Sequence, residues 1–225
     1  EAEARAKSEI SAREISDQNL DKEINARKAL EDDLYVIKEV VESSKKIAVF
    51  CSDVVSKVFI PLDSGDKQYL KACESWRDAK DTNQKRNSLA YFSKSKDSYV
   101  GALSSMGKLE NVTKDTERVK DLLKRAIQDS VDSMDTMISL LKKLLQESDA
   151  VSFEEKSKSS ERAIEKKLRA DNTIVECCTL ILTMMDVHKG AFTPSQRARI
   201  EGVKKEIEKR LRPEESGESA LDTHK

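Results

Sequence analysis

Four cysteines, two histidines and several adjacent carboxylates are the residues whose types could support chemistry. A shared metal needs its ligands within a few ångströms of one ion. His188 follows Cys177 by eleven residues, which returns it to nearly the same helical face. The rise of a helix nevertheless puts the two roughly 16 Å apart, too far for one ion. His224 sits close to the C-terminal end. The carboxylate pairs Glu154/Glu155 and Asp32/Asp33 would suit acid–base or di-metal work, but a di-iron bundle needs Glu-x-x-His on facing helices and none occurs. These pairs read as solvated helix faces, and His188 reads as a helix C-terminal residue meeting the dipole. There is no CxxC, HExxH or GxGxxG spacing, no Gly-rich phosphate loop, and no serine in a nucleophile elbow. The expectation is a protein that is not an enzyme, with no catalytic residue, no metal site and no cofactor.

The cysteines then raise the question of compartment. Cys51, Cys73, Cys177 and Cys178 allow three pairings. A vicinal Cys177–Cys178 bridge within a helix is strained, because the Cβ vectors diverge. Two pairings are left, each tying the first helical hairpin to a later helix. A single Cys51–Cys73 bridge is another solution, since these two flank the Pro61-Leu62 region by about eleven residues on either side. The alternative is four buried thiols acting as small hydrophobes in a cytoplasmic core. An even count and a start at Glu1 without Met or signal peptide favour disulfides, a processed mature form and secretion. Glu1-Ala2-Glu3-Ala4 reads either as a leader remnant or as native helix, and Asn111-Val112-Thr113 is a glycosylation sequon between helices.

The elements that would carry these residues follow from hydrophobic spacing. Leu30, Leu34, Ile37, Val41, Ser44, Ala48, Cys51, Val55 and Val58 step by four and three, a heptad seam that calls for a partner along its length. Residues 1–29 carry only Ile10, Ile15, Leu20 and Ile24 as widely spaced anchors, so they form a charged helical lead-in. Ile60-Pro61 is expected to end the first helix, with a loop over Pro61–Asp66. A second helix follows with Tyr69, Cys73 and Trp76 on one face, and residues 81–87 are either a loop or an exposed part of a longer helix. Apolar spacing resumes at Leu89, Phe92, Tyr99, Leu103 and Met106, and residues 107–113 form a kink or short connection. Residues 112–148 show two adjacent seams, one through Val119, Leu123, Ala126 and Met137 and one through Ile127, Val131, Met134 and Ile138, a stripe wide enough for two neighbours.

Ser152-Phe-Glu-Glu155 is a capping box opening a helix with Ile164, Leu168, Val175, Cys178, Leu182 and Met185 inward, Ile174, Ile181 and Met184 widening the stripe, and Gly190 as its left-handed cap. Thr193-Pro-Ser-Gln196 opens the last helix, with Ile200, Val203, Ile207 and Leu211 inward, and it stops before Pro213. Two helices of about 55 Å joined by a short link must run antiparallel. The sequence thus predicts five helices in an all-α, elongated antiparallel helical bundle with coiled-coil-like long helices. The bundle is expected over 30–212 and a disordered acidic tail over 213–225.

Composition sets the class of partner. Charged and hydrophobic residues are equally abundant at 37% each, with 4% aromatics, 6 Gly and 3 Pro, which suits long helices over sheets. A formal net charge of −1 argues against a nucleic-acid binder. The last helix is locally basic, but its Glu201–Lys205, Glu206–Arg210 and Glu208–Arg212 spacings are favourable i,i+4 pairs and no aromatic is interleaved for base stacking. No apolar stretch reaches the eighteen residues of a transmembrane segment. Met134, Met137, Met184 and Met185 fall at core spacings, and Tyr69 and Trp76 are the candidate contact residues.

The charged long helices, Cys51, Cys73, the Cys177-Cys178 pair and the acidic Pro213-Glu-Glu-Ser-Gly-Glu-Ser run resemble the salivary 34k family of helical secreted proteins of blood-feeding mosquitoes. That resemblance implies a secreted, non-enzymatic effector in saliva, acting by protein contact at a host interface. It carries no site residues over. Helical surface-coat proteins of parasites have a similar character. The competing expectations are an intracellular coiled-coil scaffold or membrane-associated bundle that dimerises through the Leu30–Val58 seam, and a helical carrier of lipid or another small ligand.

Overall fold

The computed structural model describes residues 2–77, 79, 81–110, 112–146 and 152–212, with side chains described from Arg13 onward except at 14, 15 and 153. Helices α1 (Ala2–Asp53), α2 (Ile60–Arg77), α3 (Thr82–Met106), α4 (Lys114–Gln146), α5 (Phe153–Val187) and α6 (Pro194–Leu211) account for nearly all of them. A π-helical segment, Val54–Phe59, joins α1 to α2, and a 3-10 turn, Lys189–Ala191, follows α5. No strand occurs among the described residues, and the all-α bundle predicted from the sequence is what forms. No helix among them is long and apolar enough to cross a membrane.

The chain divides into two units, Glu1–Lys45 and Lys46–Lys225. The first is a single helical stretch. The second holds the core, with its sequence-adjacent helices α2 and α3, α3 and α4, α4 and α5, and α5 and α6 packed on each other. The boundary falls inside the predicted seam, not at residue 29. Residues 213–225, expected to be a disordered tail, lie outside the described residues.

The loop expected over Pro61–Asp66 is a helix instead. Proline within a helix lacks its N–H and presses its ring on the carbonyl four residues back. Here the π turn comes just before it, and the Ile60 N–H bonds to Val55 five residues back. The wider turn shifts the backbone ladder at the point where Pro61 would break it. Gly65 serves close packing, not a turn. A Cβ placed on it would lie 2.5 Å from Cε1 of Tyr99.

Small and hydroxylated residues set the register of the hairpins. On α3, Ser88 Oγ donates to the Ala72 carbonyl and Ser95 Oγ to the Gly65 carbonyl, both at 2.8 Å, so the contacts advance by one heptad as α2 runs back by one. On α4 and α5, Ser133 Oγ donates to the Ala163 carbonyl at 2.7 Å, and the Cys177 thiol lies 4.0 Å from the Val119 carbonyl. Buried Ala126 and Ala170 sit one heptad from each of these contacts. Lys143–Glu155 at 2.7 Å and Arg118–Glu176 at 3.1 Å close the flanks of this antiparallel pair.

The other helix ends follow the sequence signals except at Gly190. Asp81 caps α3 by accepting from Gln84 N–H, which makes residues 82–87 the start of a helix. Ser152 accepts from Glu155 N–H, and Thr193 with Gln196 forms a complete reciprocal capping box with Pro194 behind it. Gly190 is not the left-handed cap: α5 ends at Val187 and Gly190 lies within the 3-10 turn, without a positive φ in the left-handed range. Both predicted seams of α4 are buried. On α5 Ile174, Cys178, Ile181, Met184 and Met185 are buried as expected, but in the N-terminal half the inward face is rotated: Leu168 is exposed and Ile164 half-buried, while Ala163, Lys167, Ala170 and Asp171 are buried.

Gly65→Ala should lose about 1–3 kcal/mol of stability by forcing Tyr99 aside. Gly101→Ala, where an added Cβ meets nothing within 4 Å, should gain about 0.4–1 kcal/mol. Chemical denaturation of the two variants beside the parent measures both signs.

Candidate functional site

The interior of the second unit holds four charged side chains. Asp66 comes from α2, Lys167 and Asp171 from adjacent turns of α5, and Arg210 from the last turn of α6. Lys167 Nζ lies 2.9 Å from Asp66 and also bonds Asp171 on its own helix. Arg210 Nη2 reaches Asp66 at 2.7 Å and stands 3.8 Å from Asp171. The Tyr99 hydroxyl of α3 donates to Asp66 at 2.6 Å. The rings of Tyr69 and Tyr99 both lie under the Lys167 ammonium, at 5.8 and 5.7 Å. Only Arg210 retains appreciable exposure, at 20% of its side chain.

These contacts decide the protonation states. Burial works to raise Asp66, but the charges of Lys167 and Arg210 and the Tyr99 hydrogen bond outweigh it, leaving its carboxyl below the ordinary value. Asp171 is raised: burial exceeds the help it gets from Lys167, and the Asp66 charge adds to the rise. The two carboxylates differ because both cations and the tyrosine converge on Asp66. Burial acts to lower Lys167, yet the two carboxylates hold it above its usual value. Burial and then the Asp66 charge push the Tyr99 hydroxyl well up.

A lysine made into a nucleophile or base needs a lowered pKa and a path for substrate. Lys167 has the opposite shift. Beside Arg210 lies a recess of about 30 Å³ bounded by Phe59, Asp63, Ile174, Glu206 and Ile207. It has room for about one water. Arg210 Nε is buried there without a hydrogen-bond partner. The cluster is a closed, charge-balanced brace across four helices. Among the described residues no group of three or more His, Cys, Asp or Glu is placed to hold a metal ion.

None of the four charges stands out in the sequence as a core residue: Asp66 falls in the expected loop, and Arg210 in the expected Glu206–Arg210 surface pair, whereas it reaches Asp66 in the fold. The signal was present: Arg210 continues the Ile200, Val203, Ile207 spacing, and Lys167 lies between Ala163 and Ala170 with Asp171 one turn on.

The predicted site residues are dispersed. Cys51, Cys177 and Cys178 are buried and Cys73 is half-buried; all four are free thiols, so the expected disulfides are not seen. Burial pushes Cys51 and Cys178 up to about 12 and Cys73 up to about 11, and raises Cys177 further. Tyr69 packs edge-on against Phe92 at 6.0 Å, and Trp76 packs against Leu140 and Leu144. Both offered contact residues therefore face the core. His188 is half-buried at the C-terminus of α5, its backbone N–H bonded to Met184. Asn111 lies outside the described residues.

The exposed apolar residues concentrate elsewhere. In the first unit Leu30, Leu34, Ile37 and Val41 are 62, 64, 57 and 47% exposed, and Leu20, Ile24, Tyr35, Val36 and Val40 are exposed with them. The same seam is buried from Cys51 onward, where Cys51, Val55 and Val58 enter the core of the second unit. Half of one heptad pattern therefore finds its partner within its own chain. The other half presents an apolar stripe to solvent.

Asp66→Asn should cost about 3–5 kcal/mol at neutral pH, because two buried cations would share one carboxylate. Asp171→Asn should cost less, its carboxylate being disfavoured in the folded protein. A carboxyl lowered by folding stabilises above its unfolded pKa and loses that contribution as pH falls through its folded value, so the Asp66 variant should also flatten the acid limb of stability against pH. Urea titrations across the acid range measure both effects. Denatured, unreduced protein should titrate four thiols, and native protein should react slowly because its thiols are buried and poorly ionised. No family model matches the chain, and no curated protein and no solved structure matches it either.

Proposed function

We propose that the protein acts without catalysis, by binding another protein helix to helix, and that the α1 face centred on Leu34 and Ile37 is the binding surface. The observation that carries this reading is the exposure of Leu30, Leu34, Ile37 and Val41 at unbroken heptad spacing. Soluble chains rarely leave a contiguous apolar stripe open unless something covers it. Heptad spacing is the pattern by which one helix packs along another.

The size of the stripe fixes the strength to expect. Burying four such side chains gains roughly 6–12 kcal/mol gross. Association costs on the order of 4–15 kcal/mol in lost freedom and ordering. The seam alone therefore supports modest affinity, and Leu20, Ile24 and Val40 beside it must share in any tighter complex. The closed state of the Asp66–Lys167 brace supports the non-catalytic part of the reading, since its lysine is held protonated between two carboxylates. The expectation of secretion leans partly on an even cysteine count, and the four thiols stand free; the host-interface role rests on the resemblance to the salivary family. Binding through the seam does not depend on the compartment.

The test is the double variant Leu34→Asp, Ile37→Asp in the full chain. Its main unfolding transition should match the parent within about 0.5 kcal/mol, since these side chains lie outside the core. It should also lose the proteins that the intact chain retains in affinity capture. A lowered main transition would make the stripe a structural element, and unchanged capture would place binding elsewhere.

A further inference from the structure

We propose that the occupant of this face is a second copy of the chain, with the two α1 segments antiparallel about a two-fold axis between Leu34 and Ile37. The proposal rests on reading the face as a helix-binding surface and adds the partner and its direction.

The charges along the seam carry the argument. Continuing the steps of three and four back from Leu30 places Arg27, Glu23 and Leu20 on the same line. A parallel, in-register pair would stack Arg27 on the partner's Arg27 and Glu23 on the partner's Glu23 within the seam. Like charges at seam positions specify against a pairing. That pairing would also bring Asp33 beside the partner's Lys38, but a rim ion pair is worth little, and it does not offset two repulsive layers.

Antiparallel pairing removes both conflicts. Leu34 then faces the partner's Ile37, and Leu30 faces the partner's Val41. By symmetry this makes four consecutive apolar layers. Arg27 comes opposite the partner's Ser44, a small polar residue. Flanking positions one residue past the seam pair with their own kind in an antiparallel coil, so Glu31 meets the partner's Lys38, and the contact occurs twice. Glu31 and Lys38 are both exposed in the single chain. An isologous two-fold contact of this kind closes on itself and does not propagate into a filament.

Sedimentation of the full chain from low micromolar to several hundred micromolar should show a reversible monomer–dimer equilibrium, and Leu34→Asp should leave only monomer. Glu31→Lys should weaken the dimer several-fold, and adding Lys38→Glu in the same chain should restore it. Direction is read by oxidation: Leu34→Cys mixed with Ile37→Cys should cross-link efficiently, and each variant alone poorly, with the parent chain as control. Efficient cross-linking of each variant alone would mean parallel pairing and overturn the proposal. A strict monomer throughout would overturn it as well. If that monomer still loses bound proteins on substitution of Leu34 and Ile37, the binding face stands and only self-pairing falls; if capture is unchanged too, both fall.

Discussion

Asp66 can occupy the interior because three other helices bring it a partner: Lys167 from α5, Arg210 from α6 and the Tyr99 hydroxyl from α3. An unpaired buried carboxylate would be too costly to keep ionised, so α2 cannot dock as it does unless the other three are in place. The balance is complete at two acids against two bases. Apolar side chains of similar volume would hold the same helices about as strongly. Charges add a penalty for every other arrangement, since a slip of α5 or α6 by one turn would leave an ion without its counterpart. The brace thus acts on which packing forms more than on how stable it is.

The same requirement for register recurs at the hairpin seams in uncharged form. Gly65, Ala72, Ala126, Ala163 and Ala170 let backbones approach, and Ser88, Ser95 and Ser133 use the short distance to bond a carbonyl on the facing helix. Tyr99 joins the two systems. Its ring fills the space that the absent Cβ of Gly65 leaves, and its hydroxyl ends on Asp66. The π turn before Pro61 lets α2 follow α1 without a loop, so Gly65 and Asp66 arrive on one continuous helical path.

Against this interior the open stripe on α1 stands out. In the second unit the continuation of the same seam through Cys51, Val55 and Val58 is covered, as are the two seams of α4, whereas Leu30, Leu34, Ile37 and Val41 are not. The seam spacing is the same on both sides of Lys45, so the difference lies in what surrounds it, not in the pattern. The proposed binding role rests on that surplus, while in the brace the lysine is held protonated and the adjoining recess admits about one water.

The helical class, most helix ends and the two-seam face of α4 were legible in the sequence, because heptad spacing and capping residues act within a few turns. Ser152, Thr193 and Pro194 do locally what their types prefer. Pro61 and Gly65 misled for the same reason: their local preference is to break a helix, and a π turn and a tyrosine from thirty-odd residues away reversed it. The ionic brace was not legible as such, since each of its charges looks like a surface residue until the other helices enclose it. Nor could spacing tell the covered half of the α1 seam from the open half. Periodicity records that a helix has an apolar side, and only the packed structure determines whether anything within the same chain lies against it.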